Sequence, residues 1–351
     1  MRHLRLLFAC LVVCAALCAV GASRAMYPHP SPMLGTGGAT HTLVAVGSST
    51  VPFVYTSTNS GATWTSRTPA PSTGWGAFAV TYGNGLFVAV GSVGTTAHVM
   101  TSPDGATWTA QTPSPATATM ANVAYGSSTF VAIGFASGAP TLSTSANGTS
   151  WSTGTMTPST NFTPYGLATN GSTFVVGGNT SAPATVTSSS TNGTSWTLRT
   201  SAPTTMLTNG VCYGSNLFIA VGQDGSTNHG DIGTSPDGTT WTSQTGANTD
   251  TATPEACAYG AGTYVIVGGD VTTSKALIWT STNGTSWTAR TPATNNAVGL
   301  FAITYVNGTF FACGGDTTTN FAVVWKSADG VTWTNVSPTS VTGSFNGVAS
   351  N

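Results

Sequence analysis

Seven tryptophans recur along this chain at nearly constant spacing: Trp64, Trp108, Trp151, Trp196, Trp241, Trp287 and Trp333, 43 to 46 residues apart. A fixed period of that length marks one supersecondary unit repeated, each copy unable to bury its apolar face without its neighbours. Most of these tryptophans follow a recognisable polar turn: Ser-Pro-Asp-Gly at 102–105 and 235–238, Ser-Ala-Asp-Gly at 327–330, and Ser-Thr-Asn-Gly at 190–193 and 281–284. Asp-Gly and Asn-Gly accept the positive φ that a tight turn between extended segments needs. Upstream of each turn lies an apolar run ending near Gly, at 43–46, 87–90, 130–133, 174–176, 218–221, 264–267 and 310–313. These runs are rich in Val, Ile and Phe, and read as strands buried on both faces. Another short strand precedes most of them, as at 78–82, 122–125, 210–213 and 301–305. Each repeat then holds four strands, A to D, the content of one propeller blade.

The two ends of the repeat region settle its closure. Repeat 1 reaches its B strand at Leu43 with no A strand before it, and residues 345–350 read as a spare A strand after the seventh Trp. The predicted fold is all-β: a seven-bladed β-propeller of four-stranded antiparallel blades over 42–351. Its C-terminal strand completes blade 1 and covers an edge that would otherwise template aggregation.

The turns resemble the Asp boxes of the sialidase-like (BNR) propeller superfamily, over essentially all of 42–351. Only the first, Ser57-Thr58-Asn59-Ser60-Gly61-Ala62-Thr63-Trp64, has that family's Ser-to-Trp spacing, with Asn in place of Asp; the other six are one residue shorter. The resemblance implies that each box joins strands C and D on the face away from the active site, a structural role that speaks to fold and not to activity. It also implies what sialidase catalysis would need: an arginine triad, a Tyr–Glu nucleophile pair and an acid/base Asp. Beyond residue 25 the chain offers Arg67, Arg199 and Arg290, each three residues after a turn Trp on the outermost strand, where they read as edge residues. Glu255 is the sole Glu. No catalytic residue is assigned.

Ahead of the repeats, Arg2 and Arg5 precede an apolar run at 6–20 and small residues at Gly21, Ala22, Ser23 and Ala25. That is the pattern of a secretory signal peptide, here 1–25, followed by a linker over 26–41. The run is too short for a comfortable membrane span, and no other stretch is long enough. The expected location is therefore secreted, extracellular or cell-surface, with no membrane span after signal removal. Cleavage after Ala25 removes three of eight basic residues and none of nine acidic ones, leaving a net charge of −4. Only 5% of the chain is charged, against roughly 25% in ordinary soluble domains. With no Lys/Arg cluster to displace counterions, nucleic-acid partners are excluded.

The acids are unevenly placed. Asp104, Asp237 and Asp329 belong to the turns and read as turn formers. The other six, Asp224, Asp231, Asp250, Glu255, Asp270 and Asp316, all fall between 224 and 316. Aligned on their B strands, Asp224, Asp270 and Asp316 share one repeat position, where blades 1 to 4 carry Ser49, Val93, Ala136 and Thr180. The B–C and D–A loops share one rim, so blades 5 to 7 present carboxylates on one sector of it. His229 and Asp231 join them from the blade 5 loop, Lys275 from that of blade 6. Three readings stand: each Asp caps its own loop; the sector binds a hydroxyl-rich ligand; or it holds a cation or a carboxylate pair about 5–10 Å apart for glycoside hydrolysis. Trp75, in the blade 1–2 connection on the same rim, is a candidate stacking residue or a capping contact. Trp279 and Trp325, at matching C-strand positions with Tyr55 and Met100, read as core. No Cys or His spacing suggests a metal site, and no cofactor is expected.

Three cysteines remain beyond the signal: Cys212 and Cys257 on A strands, and Cys313 ending a B strand. An odd count leaves at least one thiol free or paired between molecules. Cys212 stands one residue before its Tyr and Cys257 two before, so their side chains point to opposite faces. A bridge between blades 5 and 6 and an arrangement in which they point apart both remain open. Glycosylation acceptors Asn-x-Ser/Thr occur at Asn147, Asn161, Asn170, Asn179, Asn192, Asn283, Asn307 and Asn335. Asn147, Asn192 and Asn283 are also turn residues, where Asn-Gly serves the backbone. Together with Asn170 and Asn307 they would crowd the face opposite the acidic rim.

The leading functional expectation is a non-catalytic binding or structural propeller presenting one face to a glycan or extracellular protein. A glycoside-processing enzyme using the rim carboxylates of blades 5 to 7 is the alternative from another class. A packing subunit of an extracellular coat or filament, self-associating through its low-charge Ser/Thr surface, is a third.

Overall fold

The computed structural model describes residues 41–49, 52–72, 74–180, 185–199, 205–246, 251–270, 273–290 and 298–351. The signal peptide expected over 1–25, nearly all of the linker and Asp250 lie outside them. The strands form seven four-stranded antiparallel sheets. Six run A-B-C-D in chain order, as in blade 2: Gly76–Gly83, Leu86–Val93, Thr96–Ser102 and Thr109–Gln111. Blade 1 takes its A strand from the other end of the sequence. Ser344–Ser350 pairs with Leu43–Ser48, setting Val348 opposite Ala45, and the Thr42 amide donates to Asn351 Oδ1 at 2.7 Å. Each A strand touches the next around the ring. Among the described residues, no helix is long and apolar enough to cross a membrane.

One irregularity recurs in every blade. Strand A carries a β-bulge at the same position, skipping Asn346, Phe78, Ala121, Tyr165, Asn209, Glu255 and Phe301 in blades 1 to 7. The bulge brings the carbonyl two residues earlier down onto the glycine that ends the apolar run of strand B. A Cβ at Gly47, Gly91, Gly134, Gly178, Gly222, Gly268 or Gly314 would lie 1.8–2.2 Å from that oxygen. The repeated glycine therefore leaves room for the bulge of the strand beside it.

The turns before the tryptophans hold the blades together. In blade 2, Asp104 Oδ1 accepts the amides of Ala106 and Thr107 and the Ser102 hydroxyl, at 2.8–2.9 Å. Its glycine, Gly105, has φ of 75°, and a Cβ there would stand 2.7 Å from Val44 of blade 1. Gly148, Gly193, Gly238, Gly284 and Gly330 meet the preceding blade's B strand or the residue opening it in the same way. Each turn is thus a clamp on the blade before it. The tryptophan indole donates to the turn glycine's carbonyl in blades 2, 3, 4, 6 and 7. In blade 1 the extra residue moves Trp64, which donates to Val336 of blade 7 at 2.7 Å.

Between the sheets, Phe87, Phe130, Phe174, Phe218, Tyr264 and Phe310 occupy one repeated B-strand position, all at most 1% exposed. Trp279 and Trp325 are equally enclosed. Cys212 and Cys257 form a disulfide, with Cα atoms 5.6 Å apart, tying the A strands of blades 5 and 6. Cys313 is a buried free thiol whose ionisation burial pushes far up.

Candidate functional site

The rim aspartates are occupied by their own turns. Asp224 Oδ1 accepts the amides of Ser226 and Thr227 at 2.7 and 2.6 Å, and Oδ2 accepts the Thr205 hydroxyl. That hydroxyl, with the turn amides behind it, holds the carboxyl down at about 2. Asp270 accepts the Thr273 amide and hydroxyl at 3.1 and 2.7 Å. Asp316, 7% exposed, accepts the amides of Thr318 and Thr319 at 2.8 and 3.0 Å. Each carboxylate closes an Asx turn, the chemistry that recommends Asp for loops. His229 and Lys275 contribute main-chain carbonyls to the same turns, accepting from Asp224 and Asp270 at 2.7 and 2.8 Å.

Asp231 behaves differently. It sits on strand C of blade 5 opposite Gly222, whose other neighbour is Thr208. Asp231 Oδ2 and Thr208 Oγ1 are both enclosed without hydrogen-bond partners. Burial, reinforced by the Asp224 charge and opposed by His229, pushes the Asp231 carboxyl up to about 6.

Trp75 is not available to a ligand. It is 3% exposed, its indole donates to the Pro71 carbonyl at 2.7 Å, and its face stacks on His98 with centroids 5.2 Å apart. The stacking surface is consumed inside the fold. The arginines do not converge either: on blades 1, 4 and 6, each Nε donates to a hydroxyl of its own strand C, at Thr56, Ser189 and Thr280. Of the sequon asparagines, Asn147, Asn161, Asn170, Asn192, Asn283, Asn307 and Asn335 are exposed. Asn179 is half-buried, with its Oδ1 enclosed. Among the described residues, no cluster of three His, Cys, Asp or Glu is placed to hold a metal ion.

The arrangement that recurs is the set of bulged residues on the inner strands. They stand out of register with strand B, on strands that touch one another in turn around the ring. Phe78, Tyr165, Asn209, Glu255 and Phe301 are half-buried, while Ala121 and Asn346 are buried. The Phe78 and Phe301 rings fold back over Gly76 and Gly299, two residues earlier on their own strands. Tyr165 meets Phe135 of blade 3 edge-on, at 6.3 Å between centroids. Asn209 and Asn346 donate across to the next inner strand, at Pro254 and Ala77. Below the bulges the inner strands crowd together: a Cβ on Gly210 would stand 2.5 Å from the Glu255 carbonyl oxygen, and one on Gly166 2.7 Å from the Val211 nitrogen. The bulge positions together carry three aromatic rings, a carboxylate and two amides.

Of these residues, sequence reasoning named only Glu255. Phe78, Tyr165, Asn209 and Phe301 each stand four residues before a Tyr, or Thr169 in blade 4, but nothing in the spacing marks them as bulged.

The fold is that of a seven-bladed β-propeller. No protein-family model matches the chain, and no curated protein is similar to it in sequence. Solved structures of similar fold include virginiamycin B lyase from Staphylococcus aureus, 13% identical over 76% of this chain and 85% of that one, with a TM-score of 0.57. A catalytically inactive form of that lyase with quinupristin is 11% identical over 77% and 88%, at 0.59. A six-bladed fungal lectin from Aleuria aurantia, described with its fucose recognition mode, is 12% identical over 74% and 96%, at 0.50. At these identities the likeness is one of fold.

Proposed function

We propose that the protein is an exported, non-catalytic binding propeller that holds a saccharide at the bulged residues of its inner strands. The observation that carries this reading is the bulge ring. The bulge positions carry Phe, Tyr, Asn and Glu in all blades but the third, which has Ala121, and these are side chains that stack on and hydrogen-bond to sugars. Binding is favoured over hydrolysis, because glycosidases ordinarily use a pair of free carboxylates and the rim aspartates are engaged by turn amides. A fungal lectin of similar fold recognises fucose, so the architecture is compatible with this use.

The Ser-x-Asp/Asn-Gly turns support membership of the Asp-box propellers, with the turns as clamps and not as a site. The back-face acceptors Asn147, Asn170, Asn192, Asn283 and Asn307 fit an extracellular life with a glycan-shielded back and an open front. A glycan array probed with the protein and with Phe78→Ala/Phe301→Ala tests the reading. Selective binding lost in the double variant supports it. Binding that survives the double variant moves the site elsewhere, and product release from any bound glycan overturns the non-catalytic assignment.

A further inference from the structure

We infer that Asn84 and Asn307 are sites of spontaneous deamidation, while the asparagines of the Ser-x-Asn-Gly turns are protected from it by the serine of their own turn. Asn-Gly occurs eight times in the chain. A glycine after asparagine puts no side chain in the way of its own amide nitrogen, which can attack the asparagine Cγ. The N–Cγ bond forms, the Cγ–Nδ2 bond breaks, and Nδ2 leaves as ammonia with the proton that the glycine amide gives up. Water then opens the resulting succinimide to aspartate or isoaspartate. The reaction needs a glycine N–H free to lose its proton, and space for the two residues to rotate.

These two conditions separate the eight. In the turns before the tryptophans, the amides of Gly148, Gly193 and Gly284 donate to the hydroxyls of Ser145, Ser190 and Ser281 at 2.8–2.9 Å. Asn147, Asn192 and Asn283 are pinned as well, each Oδ1 accepting the amides two and three residues on at 2.9–3.0 Å. A Cβ on any of these glycines would stand 2.6–2.7 Å from the preceding blade, so rotation there means unclamping two blades. The turns would tolerate the product, since Asp104, Asp237 and Asp329 accept the same pair of amides in blades 2, 5 and 7. The serine obstructs the reaction and not its outcome. Gly171 donates to Thr169 Oγ1 at 3.0 Å, and Gly210 and Gly347 are buried in paired inner strands. Asn84-Gly85 and Asn307-Gly308 are placed differently. They form two-residue turns of A–B hairpins, beyond the last ladder pairs Gly83–Leu86 and Val306–Thr309, with positive φ at both residues. Both asparagines are exposed, and a Cβ on Gly85 or Gly308 would meet nothing within 4 Å.

The test uses glycan-free protein, because Asn307 heads a sequon and a glycan would occupy its Nδ2. The protein is incubated in heavy-oxygen water at mildly alkaline pH, where the glycine amide ionises more readily, and each Asn-Gly peptide is followed by mass spectrometry. Product formed during the incubation carries the heavy oxygen. Asn84 and Asn307 should convert at least about tenfold faster than Asn147, Asn192 and Asn283, whose reaction waits on local opening of the turn. In guanidinium chloride every site keeps its glycine and loses its turn, so the five rates should draw together. Ser145→Ala should speed conversion at Asn147 and leave Asn84 unchanged. Comparable rates at all five sites in the folded protein overturn the inference, as does a difference that persists in denaturant. A folded Ser145→Ala variant whose Asn147 reacts no faster overturns the protection by serine.

Discussion

Asn346, on the strand that closes the ring, donates its side-chain amide to the carbonyl of Ala77, 269 residues earlier and 3.0 Å away. The same Nδ2 reaches Ser48 Oγ at 3.2 Å, and Oδ1 accepts the Ser344 hydroxyl at 2.9 Å. A fully buried side chain thus links blade 1 to blade 2 where the ladder of strand A is interrupted by its bulge. Replacing it with Ala leaves the Ala77 carbonyl and Ser48 without that donor. Asn346→Ala is expected to cost roughly 1–3 kcal/mol, read as a lower denaturation midpoint in urea. An unchanged midpoint would remove the latch.

Gly268 and Gly269 are adjacent on strand B of blade 6 and make opposite predictions. A Cβ on Gly268 would stand 2.0 Å from the Thr253 carbonyl oxygen, whereas one on Gly269 meets nothing within 4 Å. Gly268→Ala must displace the blade 6 A strand from strand B, which should cost about 1–3 kcal/mol or more, and with it the bulge that carries Glu255. Gly269→Ala should be nearly neutral in stability. Thermal melts of the two variants, with oligosaccharide titrations beside them, check both halves.

The Asp231 carboxyl titrates near 6, well above its ordinary value of 3.8. An acid raised in the folded state binds its proton more tightly there than when unfolded. Its favourable contribution is complete below the unfolded value and is lost as pH rises through about 6. Stability should therefore decline between roughly pH 4 and 7 through this group, and Asp231→Asn should flatten that part of the profile. Denaturant midpoints across this range, for the protein and the variant, decide the matter.

Asp224 predicts the reverse at lower pH. Held down at about 2 by the Thr205 hydroxyl and by amides of its own turn, it stabilises the fold above its unfolded value and loses that contribution as pH falls toward 2. Thr205→Val should lower stability above about pH 4 and flatten its decline between about pH 4 and 2. Stability profiles that coincide across this range would separate Asp224 from acid stability.

The Cys212–Cys257 bridge spans 45 residues of sequence. Removing it as the Cys212→Ala/Cys257→Ala pair is expected to cost roughly 2–4 kcal/mol. Midpoints that match between the double variant and the oxidised protein would refute that stabilising role.

The sequence alone carried the blade count, the four strands per blade and the closure by 345–350, because each rests on local chemistry. Asp-Gly and Asn-Gly turn, Val- and Phe-rich runs extend, and a tryptophan period counts copies. It also placed Asp224, Asp270 and Asp316 at one rim position. Whether their oxygens face a ligand or their own turn was a matter of backbone path two and three residues on, and the turn amides took them. Trp75 was likewise located but not oriented; burial against His98 withdrew it. The bulge ring escaped sequence reading because register is a relation between two strands, and the glycine that marks it stands on the partner strand. The cysteines show the same division. Alternation along each strand set Cys212 and Cys257 on opposite faces, and only the packing of blade 5 against blade 6 turned opposite faces toward each other.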